Sequence, residues 1–235
     1  NFETKLNTIK NEIRFKPGQL FNYEKIQETK DNIRGLGVFR LVNIKLSKIN
    51  ETSKVSDVII SVEEDDNQYI DFSVGTSSDE KYSASSKFVE QNFFGWAKEI
   101  SLLGKIGEIY NTAEVNFTDP RFNFFRLLSL FTNFTLGSNI KLFYRHETLP
   151  SFILDGYGGS ISLFKTFFKK LNLSLAFEAE ESTTERYFSN NIIIPDIFTK
   201  IEYSTTTSII FSAYFENRDN PFDPRRGNLL RFTTK

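Results

Sequence analysis

The chain has 235 residues, 29 basic against 30 acidic side chains, no Cys and no Met, and 26 Phe beside a single Trp and a single His. A net charge of −1 offers no electrostatic footprint for nucleic acid, and without Cys there is neither disulfide nor thiol chemistry. No apolar run approaches a membrane helix. The mean hydropathy of −0.33 reads as soluble, yet a membrane barrel whose strands alternate apolar and polar residues averages to the same value.

Phe2, Leu6, Ile9 and Ile13 make one helical stripe, broken at Lys16–Gln19 by a Pro-Gly pair. Asn22 is placed to cap a second helix, with Glu24 in its first turn and Tyr23, Ile26 and Ile33 along it. Gly35 sits where a helix ends and Gly37 loosens the chain again. Val42, Ile44 and Leu46 then alternate with polar residues, as do Val58, Ile60 and Val62 after a loop at Asn50–Asp57. The order helix, helix, strand, strand is a small α+β unit. Glu63–Asn67 reads as a solvated hinge, which divides the chain into residues 1–66 and 67–235.

From Gln68 onward the period is two. Ile70, Phe72 and Val74 alternate with Asp71, Ser73 and Gly75, and Tyr82, Ala84 and Phe88 repeat the pattern. Ile100, Leu102 and Ile106 follow, then Ala113, Val115 and Phe117 up to a turn expected at Asp119–Pro120. A long even-numbered register runs from Leu128 through Leu130, Phe134, Leu136, Ile140 and Leu142 to Tyr144, which predicts one strand continuing through Gly137–Asn139. Ile161 and Leu163 come next. Leu171, Leu173, Leu175 and Phe177 oppose Asn172, Ser174 and Glu178, and Ile209, Phe211, Ala213 and Phe215 close the series before Asn228–Lys235 starts another strand. The count is eight strands and the start of a ninth.

The connections alternate too. Turns containing NFFGWA, TDPRFNF, TFFKKLN and RDNPFDPRRG fall after every second strand. Between them lie other connections, including longer ones expected around His146–Asp155 and Glu181–Thr199. Short turns alternating with longer loops are what a bacterial membrane barrel shows. Charges on the polar face (Lys141, Arg145, Glu178, Glu180) speak against a packed soluble sandwich, and aromatic residues near strand ends suit an interfacial girdle.

No catalytic constellation emerges. His146 reads as a solvated loop histidine. Glu63–Asp66 lacks the Gly-containing spacing of a calcium loop, and Asp155–Gly159 has no following helix or Lys to cradle phosphate. Arg225 and Arg226 read as a basic pair facing lipid headgroups. No enzyme activity, metal or cofactor is expected.

The turn Phe215–Gly227 (FENRDNPFDPRRG) resembles the mid-barrel hairpin of the BamA/TamA family of outer-membrane insertases, through Arg218, Asp219, Asn220, Pro221, Phe222, Pro224 and Gly227. Phe15–Ile44 is similar to the POTRA repeat that precedes the barrel there, with the first POTRA strand missing, so the N-terminus reads as a cut. Val89–Leu102 resembles the family's Glu-Asn-Leu-Phe-Gly turn through Asn92, Phe94 and Gly95, with Gln91 inserted. Val115–Phe122 matches its strand-to-turn segment through Asp119 and Pro120. The family's Val-Arg-Gly-Phe/Tyr loop is absent.

The resemblance implies a partial α+β POTRA unit at 1–66 followed, at 67–235, by the first eight to nine strands of a larger antiparallel transmembrane β-barrel. It implies an outer-membrane protein with its POTRA part in the periplasm. The partners implied are unfolded outer-membrane proteins, accessory periplasmic or lipoprotein subunits and membrane lipids. Clients would pair with a gate edge at Gln68, Tyr69, Ile70, Asp71, Phe72, Ser73, Val74 and Gly75 by β-augmentation. Alternatives are a TamA-like assembly module, a two-partner secretion pore, and, outside the family, a passive porin, which would not need the POTRA-like segment.

Overall fold

The structure, a computed structural model, describes residues 3–47, 55–78, 81–122, 136–150, 152–168, 170–186, 201–220 and 223–235. Phe2, Leu128, Leu130, Phe134, Pro221, Phe222 and most of the Asn50–Asp57 loop lie outside the described residues. Contacts divide the chain into two units, Asn1–Tyr69 with Val89–Ile100, and Ile70–Phe88 with Ser101–Lys235.

The first unit holds α1 (Leu6–Lys10), α2 (Tyr23–Arg34) and the antiparallel pair β1 (Phe39–Leu46) and β2 (Val58–Glu64). The α1 stripe ends earlier than its spacing suggests, and Ile13 falls beyond the helix. The Lys5 N-cap offers no side-chain acceptor, and so short a helix has few bonds to offset the cost of nucleation. At α2 the Asn22 carboxamide oxygen accepts from the N–H groups of Glu24 and Lys25 at 2.8 and 3.3 Å. This satisfies donors that a helix start otherwise leaves orphaned. The register sets Val42 against Val62, Ile44 against Ile60 and Leu46 against Val58. Ile9, Ile33, Leu36, Val38, Phe39 and Val42 form the buried core, together with Ala97 from the distant turn.

The second unit is built on a nine-stranded antiparallel sheet whose order follows the sequence. Its strands are β3 (Gln68–Ser77), β4 (Lys81–Glu90), β5 (Glu99–Gly107), β6 (Tyr110–Phe122), β7 (Leu136–Leu149), β8 (Phe152–Phe167), β9 (Leu171–Arg186), β10 (Ile201–Glu216) and β11 (Leu229–Thr234). Ile161 pairs with Ile140 and Phe177, Leu163 pairs with Leu175, and Phe211 pairs with Leu175. One face is therefore an apolar band. The other carries Lys141, Arg145, Glu178, Glu180 and Ser208, as the two-residue period requires.

Three expectations about connections are corrected. The turn expected at Asp119–Pro120 is strand: β6 continues to Phe122, which pairs with Leu136 across a register shift. A bulge absorbs the proline that cannot donate, and Asp119 Oδ1 accepts the Arg121 N–H at 3.0 Å. The loop expected around His146–Asp155 is mostly ladder, because β7 runs to Leu149 and β8 begins at Phe152. His146 faces Asp155 across that ladder, so residues that look loop-like singly are satisfied as a pair. The loop expected at Glu181–Thr199 begins later, since Glu181–Glu185 pair with Ile201–Thr205.

The described part of the long even register, Leu136–Tyr144, runs straight through Gly137–Asn139 as β7. Gly137 is there for room, not for a turn. A Cβ on it would lie 2.1 Å from the Phe164 ring that crosses it, and one on Gly158 would lie 2.8 Å from Phe143 Cζ. Each ring covers a glycine on the neighbouring strand, which shields the exposed backbone.

Candidate functional site

β3 is the terminal strand of the sheet order in this chain, and all ten of its residues are exposed. Gln68, Tyr69, Ile70, Asp71, Phe72, Ser73, Val74 and Gly75 all lie on it. Phe72 is 78% exposed and Val74 84%. Natural sheets blunt such edges with Lys, Pro or very short strands. β3 has neither Lys nor Pro and is ten residues long.

The turn between β4 and β5 belongs to the first unit. Asn92, 3% exposed, is its centre. Its Oδ1 accepts the Ala97 N–H and its Nδ2 donates to the Thr4 hydroxyl, each at 2.9 Å. The Gly95 carbonyl accepts from the Lys5 N–H at 2.9 Å and the Thr8 hydroxyl at 3.0 Å. Gly95 holds φ +74°, and a Cβ there would meet the Glu3 carbonyl oxygen at 2.3 Å. Phe94 also takes positive φ, at 53°, and its exposed ring packs edge-on to Trp96. The Lys5 ammonium stands 4.4 Å from the centre of the Trp96 ring, a cation–π distance. Burial pushes the Glu64 carboxyl up, but hydrogen bonds from the Thr4 hydroxyl and the N–H groups of Glu3 and Thr4 outweigh it and hold the group below its ordinary value.

The turn after β10 is organised by Asp219. Its Oδ1 accepts the N–H groups of Asn220, Arg225 and Arg226 at 2.9, 3.0 and 3.1 Å, and its own N–H donates to the Arg226 carbonyl at 3.0 Å. Backbone donors, that of Arg226 foremost, keep its carboxyl below the usual range. Gly227, at φ +102°, passes so near the Asn217 carbonyl that no side chain fits. Arg218 turns back onto Glu216, at 2.5 and 2.9 Å. Gly227 is thus part of an Asp-centred turn within which Pro224 also falls.

Two polar clusters lie between the ends of the strands. On the polar face Arg145 stands 2.5 Å from Glu180 and 3.5 Å from Glu147, lying against Gly156. On the other face His146 Nδ1 is 2.7 Å from Asp155 and Nε2 3.1 Å from the Thr148 hydroxyl, while the Tyr144 hydroxyl donates to Asp155 at 2.9 Å. The order Thr, His, Asp is that of a nucleophilic relay. The strands around it hold their N–H groups in the β7–β8 ladder, whereas acyl transfer needs donors aimed at a developing oxyanion. The sequence pattern puts all three in the loop expected around His146–Asp155, and only the cross-strand register joins His146 to Asp155. No signal in it foretold that Asn92 and Ala97 pack with the N-terminal residues of the first unit.

With this geometry in view, comparison with known proteins is specific. The model of the Omp85 superfamily domain matches residues 92–235, and that of the surface antigen variable number repeat, POTRA, matches residues 1–65. The outer membrane protein assembly factor BamA of Neorickettsia risticii is 24% identical over 239 aligned residues, covering 100% of this chain and 30% of that protein. The crystal structure of BamA from Haemophilus ducreyi lacking POTRA domains 1–3 superposes with a TM-score of 0.76 at 17% identity, over 98% of this chain and 45% of that one. CdiB from Acinetobacter baumannii superposes at 0.52 with 11% identity, over 98% of this chain and 42% of that one. This chain therefore spans less than a third of the curated relative and under half of either structure. A POTRA unit leading into the strands of an outer-membrane barrel is what the two family models and the fold describe, and the chain belongs to the Omp85 superfamily of outer-membrane protein insertion and secretion, with its POTRA part on the periplasmic side.

Proposed function

We propose that the chain is the last POTRA unit and the leading strands of a BamA-like assembly factor, which folds and inserts β-barrel proteins into the outer membrane by pairing their strands with β3. The observation that carries this reading is the exposed, unblunted edge of β3. Strand addition draws affinity from backbone hydrogen bonds and asks little of client side chains, so one edge serves many clients. The free energy comes from burying client strands in lipid, with their polar backbone groups paired. β1 and β2 supply further edges for extended clients or accessory lipoproteins. On this reading the chain needs no cofactor and has no catalytic role.

The test is proline at the edge, in the full-length protein. Phe72→Pro or Ser73→Pro removes a ladder donor and bends the strand, whereas Ala at either place leaves the backbone intact. At matched amounts of folded protein the Pro variants abolish outer-membrane protein assembly and the Ala variants stay largely active. Cysteines on β3 crosslink to a client's terminal strand during assembly. Untouched assembly in both Pro variants, with no crosslinks, would mean that β3 is not the insertion site and would favour a two-partner secretion pore.

A further inference from the structure

The turns that follow β8 and β10 are joined. The Glu216 N–H donates to the Lys170 carbonyl at 2.9 Å, and the Lys170 ammonium is bonded to the Asn217 carboxamide. Asp219 then grips Arg225 and Arg226 by their backbone N–H groups alone. Both guanidinium groups are left exposed, with no carboxylate partner among the described residues. Arg218, in contrast, is neutralised by Glu216. Beside Lys170, Phe168 is 91% exposed and held at φ +51°.

This patch sits at one boundary of the apolar band. Leu171, the first residue of β9, pairs with Phe167 and Phe215, and Lys165 lies one step along the same face opposite Leu173. The Lys165 ammonium extends back over the Phe167 ring, 5.6 Å from its centre, as a lysine does when its stem lies along hydrocarbon and its charge seeks the polar boundary. At the far end of the same face stand Asp155, Glu181 and Glu185, which continue that row across the register. On this face of β8 and β9, Lys165 thus stands near one end and the carboxylates Asp155, Glu181 and Glu185 near the other.

We propose that the joined β8–β9 and β10–β11 turns are a docking site for acidic phospholipid headgroups of the periplasmic leaflet. Lys170, Arg225 and Arg226 bind the phosphate, and Phe168 enters the acyl boundary. Guanidinium groups match phosphate oxygens bidentately, and an exposed phenylalanine gains at a membrane interface what it loses in water. Asp219 fixes where the arginines stand without neutralising them through a side-chain contact. The site would set the depth of the barrel wall in the bilayer, and it depends on the barrel's orientation rather than on insertase activity.

Spin-labelled lipids test it in the full-length protein reconstituted into phosphatidylcholine vesicles. The electron paramagnetic resonance spectrum gives the fraction of each label immobilised by the protein. The native protein should prefer phosphatidylglycerol over phosphatidylcholine by about threefold or more, a preference lost at high salt. Lys170→Gln, Arg225→Gln and Arg226→Gln together should bring the ratio to about one. Lys81→Gln, at the opposite end of the strands, should leave it unchanged. Gel mobility of unheated protein reports that each variant is folded; if the triple variant is not, the three single replacements must each lower the ratio. A native protein without preference, or a triple variant that keeps it, overturns the proposal. Loss of the preference on adding millimolar inorganic phosphate also overturns it, in favour of a site for free anions.

Discussion

The side-chain amide of Asn92 donates to the Thr4 hydroxyl at 2.9 Å across 88 positions of sequence. Thr4 in turn donates to Glu64, so a turn, the N-terminal segment and the end of β2 share one chain of polar contacts. Asn92 is buried and uses both ends of its carboxamide. Asn92→Ala should therefore cost about 1–3 kcal/mol, the price of leaving the Ala97 N–H unmet inside the fold. Thr4→Val should cost less, and a double-mutant cycle between the two positions should give a coupling of about 0.5–1.5 kcal/mol in chemical denaturation. Additive effects would show that the bond contributes nothing.

Gly95 and Gly104 make a paired comparison. Gly95→Ala places a Cβ against the Glu3 carbonyl at a residue with φ +74°, whereas nothing lies within 4 Å of a Cβ on Gly104. The first change should destabilise by about 2 kcal/mol or more, through strain and clash. The second should stay within about 0.5 kcal/mol. Denaturant midpoints of the two variants check this directly.

The faces of β9 predict opposite responses to one charge. Leu175 pairs with Leu163 and Phe211 in the middle of the apolar band, and Ser174 faces the other way beside Ser212. Leu175→Arg should cost about 2–4 kcal/mol in lipid, and Ser174→Arg little. Folding titrations in vesicles measure both, and equal tolerance would mean that the register of β9 is misassigned.

Asp219 predicts an acid-sensitive turn. Its carboxyl is held below the ordinary 3.8 by backbone donors, so its contribution is fully present above that value and is lost as pH falls through the lower folded value. The amide resonances of Asn220, Arg225 and Arg226 should move together over that acid range and stay fixed above it. Asp219→Asn should abolish the titration. A midpoint above 3.8 would contradict the hydrogen-bonded geometry.

Local order was plain in the residues themselves. The Asn22 cap and the two-residue period along the described strands each depend on neighbours a few positions apart, and local sterics and capping decide them. The register through Gly137–Asn139 was legible for the same reason, although the cause, the Phe164 ring lying over Gly137, was not.

What only the tertiary structure decided involves partners distant along the chain. Asp119 and Pro120 look like a turn alone, yet β7 offers a ladder that carries β6 past them. His146 and Asp155 look like loop until the strands bring them within 2.7 Å. Ala97 and Asn92 look like ordinary turn residues until the N-terminal segment buries them. In each case the residue's own preference is weak, and a hydrogen bond or buried surface supplied from another strand outweighs it. For β3, alternation in Gln68–Gly75 makes a strand, while its place at the end of the sheet order, expected from the family resemblance, is a property of pairing that no single strand's pattern encodes.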